Sequence, residues 1–156
     1  MERVSKHISY KEGIKSNTAL RLNINNAPND YQISNMVAFA HHIFEPLREW
    51  VGGPIKINSF YRAEKLNQVI GGSANSQHCQ GRACDIDDTF GYKTNAQMYN
   101  YIKDNLNKLS SNPITKLITN LTSKNLTSKN LTNKNLTNKN LTNKNLLIIL
   151  GLFFYT

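Results

Sequence analysis

Apolar residues at Ile33, Met36, Val37, Ala40, Phe44, Leu47 and Val51 recur at three- and four-residue steps, which predicts an amphipathic helix over 31–51. Pro46 falls on the polar side and removes one helical hydrogen bond, so a bend or an early stop is expected there. His41 lies on the flank of the apolar face and His42 nearly opposite it, and a surface or core-edge role suits both better than a ligand role. Gly52-Gly53-Pro54 ends the helix. From Ile55 to Phe60 apolar and polar residues alternate, the period of a strand. Residues 63–70 read as a short helix closed by Gly71-Gly72. Gly81 to Asp87 reads as a second strand, with Ala83 and Asp85 on one face and Cys84 and Ile86 on the other. Asp87 and Asp88 are expected to be solvated. Tyr99, Ile102 and Leu106 mark one side of a helix over 94–107, capped by Thr94. Towards the start, Ser9-Tyr10-Lys11-Glu12 has capping-box form, and residues 16–30 read as an irregular connection.

This patterning stops near residue 108. Leu121-Thr122-Ser123-Lys124-Asn125 is repeated once, and then Leu-Thr-Asn-Lys-Asn occurs three times through Asn145. On a helix a five-residue period turns each leucine by about 140° from the last, and on a strand it sends leucines to alternate faces. Residues 109–145 therefore read as a low-complexity, mostly disordered tail. Leu146 to Thr156 is an apolar end that as a helix would reach ~16 Å, about half of a bilayer core. No transmembrane span is expected, and the segment reads as aggregation-prone.

The 156 residues leave room for one domain. The net charge of +9 is unevenly placed: all ten acids lie in residues 1–108, while six lysines and no acid occupy 109–156. The excess is a property of the tail and designates no specific nucleic acid as partner. Cys79 and Cys84 are too few for a disulfide scaffold and read as small packing residues. The first residues lack the apolar core of a signal peptide, so a cytoplasmic location is expected.

Chemistry concentrates in Ser76-Gln77-His78-Cys79-Gln80-Gly81-Arg82-Ala83-Cys84-Asp85. His78 and Asp85 straddle the turn glycine Gly81, and an imidazole with a carboxylate is a donor pair suited to zinc. Ser-x-His-x-x-Gly-x-Ala-x-Asp resembles the signature of the zinc D-Ala-D-Ala carboxypeptidase and dipeptidase family, which shares its fold with hedgehog-type and lysostaphin-type peptidases. Ser59-Phe60-Tyr61-Arg62 resembles the family's Ser-x-Tyr-Arg element, and Leu66-Asn67 with Gly71-Gly72-Ser73 resembles its Leu-Asn…Gly-Gly-Ser run. The Ser…Thr-Ala…Asn-x-Pro segment of residues 16–28 is similar as well. The likeness covers roughly residues 5 to 107.

That resemblance implies an α+β fold, a small antiparallel sheet with helices packed on it, and hydrolysis of bacterial cell-wall peptides. It implies His78 and Asp85 as zinc ligands, Arg62 as holder of substrate and of the charge developing on the scissile carbonyl, and Ser76 as a substrate contact. A cytoplasmic member would reach the wall by a route such as a phage lysis system. The family completes its site with a general-base acid and then a third ligand, a histidine in a Trp-x-His-like strand. Here no histidine follows His78, no glutamate follows Glu64, and the one tryptophan is Trp50. Little or no peptidase activity is therefore expected. The alternatives are a non-catalytic cell-wall-peptide binding module, or an unstable product of repeat expansion with an unpaired sheet edge.

Overall fold

The structure, a computed structural model, describes residues 1–109 and the backbone of 146–148. Two short helices come first, α1 (Tyr10–Gly13) and α2 (Asn17–Arg21). Ser9 caps α1 by accepting the Glu12 N–H at 3.1 Å. In the same way Ser16 caps α2 by accepting from Ala19, so the stretch expected to be irregular contains a helix.

The long helix forms in three parts: α3 (Asp30–Phe39), a π-helical turn over Ala40–Phe44, and α4 (Glu45–Val51). An Asn29–Gln32 capping box starts α3. Pro46 neither stops nor breaks the run. The wider turn just before it gives Glu45 N–H the Ala40 carbonyl, which carries the chain past the residue that has no N–H to donate. Gly52 then ends α4 in the left-handed conformation at φ 76°.

Strand β1 (Lys56–Ser59) pairs antiparallel with β2 (Cys84–Asp87). The register is Lys56↔Asp87, Ile57↔Ile86 and Ser59↔Asp85, with a bulge at Asn58. Between the strands lie α5 (Glu64–Val69) and a 3-10 turn over Gln77–Gln80. Helix α6 (Asn95–Leu109) follows, its first turn closed by reciprocal bonds between Thr94 and Gln97. A third strand, β3 (Leu146–Ile148), runs antiparallel along the other edge of β2, so that edge carries a pairing partner. The expected repeat tail over 109–145 lies outside the described residues apart from Leu109, the last residue of α6; of the apolar end only 146–148 is described.

The core gathers Val4, Ile8, Met36, Phe39, Ile43, Leu47, Phe60, Ile86, Met98 and Ile102 between the α3–α4 rod, the sheet and α6. The Phe39 and Phe60 rings meet at 5.4 Å in tilted contact. Burying each such side chain contributes about 1.5–3 kcal/mol. On α6 the buried face is Met98 and Ile102, while Tyr99 stays 41% exposed, one residue off the expected stripe. Asp87, expected to be solvated, is buried instead. It accepts from Asn58 at 2.7 Å and from the Thr89 N–H and hydroxyl, and pairs with Lys56 at 3.5 Å. Burial pushes its carboxyl up, but these partners outweigh that and hold it below the usual range. Asp88 is exposed as expected.

Candidate metal centre

His78 sits on the 3-10 turn, which is short enough to be set by its surroundings rather than by its own hydrogen bonds. Two side chains of α3 grip it. Gln32 donates to the Cys79 carbonyl at 3.0 Å and Asn35 to the Gln80 carbonyl at 2.9 Å. Gly81 then turns the chain into β2 at φ 71°, pressed so close to α3 that a Cβ would stand 2.5 Å from the Gln32 carbonyl oxygen. Only glycine fits both constraints.

The segment after β1 holds the imidazole. His78 Nδ1–H donates to the Phe60 carbonyl at 2.7 Å, and the Arg62 N–H donates to the His78 carbonyl at 3.2 Å. A carbonyl can only accept, so this bond places a donor at Nδ1; in the tautomer that can ligate a metal, the lone pair is on Nε2. That nitrogen faces Asp85 Oδ1 at 3.2 Å. Both atoms are shut off from solvent, and neither has a hydrogen-bond partner. In that tautomer two buried acceptors face each other, at about 1–3 kcal/mol for each unsatisfied group. A cation between them, a metal ion or a proton, removes that cost, and the carbonyl behind the histidine is the usual outer partner of a ligating imidazole. On these observations the pair fits zinc.

Arg62 completes the cluster. Its Nη2 lies 3.6 Å from Asp85 Oδ2, its Nη1 lies 3.5 Å from Asn67 Oδ1, and its Nε is buried without a partner. Asp85 thus divides its oxygens between the histidine and the guanidinium. Asn67, itself buried, donates to the Ser73 carbonyl at 2.8 Å and fills the space over Gly72, where a Cβ would meet it at 2.1 Å.

Of the residues singled out in the sequence, His78, Asp85 and Arg62 come together. Ser76 opens the 3-10 turn, and its hydroxyl bonds with the Cys79 thiol. Burial, the largest influence, pushes that thiol up despite the nearby Arg62 charge. Cys84 faces the core with Ile86, and burial pushes its thiol up strongly. His41 is exposed on the π turn, and His7 is bound to Glu45 at 2.6 Å. Asp104, the one acid beyond Asp88, is exposed on α6. Among the described residues no group of three His, Cys, Asp or Glu side chains converges on a metal-sized space. The Phe60 carbonyl, Gln32 and Asn35 were not legible as site residues, because each works through a main-chain carbonyl whose partner lies 18 to 47 residues away in sequence.

A small α+β domain with a His–Asp pair backed by a carbonyl and flanked by an arginine has the makings of a metallopeptidase centre. Among known families, the model of the one described as Peptidase M15 matches residues 6–105, more than half of the chain. The chain belongs to the peptidase M15 family, the D-Ala-D-Ala carboxypeptidase family. No curated protein and no solved structure gives a match.

Proposed function

We propose that this protein is a zinc-metallopeptidase-type domain directed at bacterial cell-wall peptides, with little or no hydrolytic activity in the sequence as it stands. His78 and Asp85 would hold the metal, Arg62 receives a substrate carbonyl or carboxylate, and Ser76 lines the approach. A zinc held there would supply Lewis acidity. The observation that carries the reading is the buried pair of unpartnered atoms, His78 Nε2 and Asp85 Oδ1, beside a guanidinium with an unpartnered Nε. Family membership supports the peptide substrate.

Low activity follows from the donor count. A catalytic zinc takes three protein ligands and keeps a position open, and two converge here. Loss of an outer partner alone costs about 10–100-fold in affinity or activity, and a missing ligand with a missing base costs more. The test is D-alanine release from a D-Ala-D-Ala-terminated peptide, with and without chelator. Release at the level of a buffer blank is expected, and chelator-sensitive release contradicts the low-activity reading.

The buried Arg62 guanidinium also favours a second reading, a cell-wall-peptide binding module without turnover. Its mark is measurable affinity for the same peptide, lost in Arg62→Ala, with no D-alanine released.

A further inference from the structure

Asn26 lies in the segment that joins α2 to α3, and its buried side chain bonds to backbone on both sides of Arg62. Its Oδ1 accepts from the Ala63 N–H at 2.7 Å, and its Nδ2 donates to the Tyr61 carbonyl at 3.3 Å and to the Ile14 carbonyl at 2.8 Å. Tyr61 C=O and Ala63 N–H belong to the two peptide units flanking the Arg62 Cα. One primary amide therefore spans the two torsions that decide where the arginine side chain leaves the chain. The Tyr61–Arg62 peptide unit is held from its other end as well, since the Arg62 N–H donates to the His78 carbonyl at 3.2 Å. Just upstream, the Tyr61 N–H donates to the Gly13 carbonyl at 3.0 Å. No regular element continues past Ser59 to do this: β1 ends there, and α5 begins only at Glu64.

We propose that Asn26 is the positioning residue for Arg62, holding the backbone at 61–63 so that the guanidinium meets Asp85 rather than solvent. Burial makes the amide exacting. The amide is buried, and its bond to the Tyr61 carbonyl is shielded from water, so the groups freed when it is lost are poorly resolvated. Alanine in its place removes all three bonds and frees the Arg62 torsions. Aspartate keeps the shape and the bond from Ala63 but sets an acceptor against the carbonyls of Ile14 and Tyr61. The functional consequence rests on the reading of Arg62 as the substrate-facing group; the structural one does not.

The experiment uses the full 15N-labelled chain. The Arg62 side-chain Nε–H signal is assigned by its disappearance in Arg62→Lys, then followed in Asn26→Ala and Asn26→Asp. In both Asn26 variants the Arg62 signal is expected to shift or broaden away, while the amide signals of Met36, Leu47 and Ile86 stay in place. An Arg62 signal unchanged in both overturns the proposal. So does global unfolding of both variants, which makes Asn26 a general structural support. Binding of a D-Ala-D-Ala-terminated peptide is measured alongside. Asn26→Ala should weaken it about tenfold, the lower end of what a lost supporting contact costs, and should weaken it no further once Arg62→Ala is present. If Arg62→Ala leaves peptide affinity unchanged, the functional reading of the arginine fails, while the signal of its side chain still decides the role of Asn26.

Discussion

The proton on His78 Nδ1 goes to the Phe60 carbonyl at 2.7 Å, which in the metal-ligating tautomer leaves Nε2 and Asp85 Oδ1 as facing acceptors at 3.2 Å. Replacing Asp85 with asparagine leaves an oxygen for Arg62 but removes the carboxylate charge that the metal and the guanidinium both face. Asp85→Asn should therefore abolish metal binding and, in chelator, lower the melting temperature by leaving Arg62 without its charge partner. A melting temperature in chelator equal to that of the native chain would contradict the Asp85–Arg62 pairing. Glu45 offers a second test at this scale. Burial pushes its carboxyl up, but the Ser5 hydroxyl close by, the bonds from the His7 N–H and ring, and the charge of His7 outweigh that and hold it below its ordinary value of 4.5. A depressed folded value means stability that is complete above pH 4.5 and lost as pH falls below it. The melting temperature should decline in that acid window, and Glu45→Gln should flatten the decline. His78 and Asp85 were legible as candidates from residue type and spacing, Arg62 and Ser76 only through the resemblance to the family's motifs. The Phe60 carbonyl was not, since every residue has one and only the fold selects which is used.

At the level of elements, the turn that carries His78 owes its shape to α3. Gln32 and Asn35 reach it from one face of that helix, and Gly81 lets the two backbones approach. Gly81→Ala adds the left-handed penalty of about 1–2 kcal/mol to a contact with a backbone oxygen at 2.5 Å that cannot rotate away. It should lower stability by more than 2 kcal/mol (about the upper strain figure alone), measurable by urea unfolding. A loss under about 0.5 kcal/mol, the range of an ordinary surface change, would contradict the close approach. Sequence periodicity found α3, α4 and α6, where one face is buried over several turns. It missed α2, whose five residues are too few to show a period, and it placed the α6 stripe on Tyr99 instead of Met98. The π turn was visible only as a conflict: an unbroken apolar face with Pro46 inside it.

For the molecule as a whole, the main core cluster of the described residues runs from Val4 to Ile102, nearly all of it within the 6–105 stretch that the family match outlines. A chain cut after Leu109 should keep a cooperative thermal transition; a broad, non-cooperative melt would show that residues beyond α6 are needed for the core to form. The fold class could be read from the sequence, because the turn glycines and the change of period from helix to strand lie in plain view. The central claim is that His78 and Asp85 form a metal half-site. Zinc per chain, measured after dialysis against dilute zinc for the native protein and for His78→Ala, tests it most directly. The account predicts zinc above that of the variant but short of one equivalent in the native chain, since two donors converge among the described residues, and none in the variant. Equal zinc in both, or none in either, would contradict it.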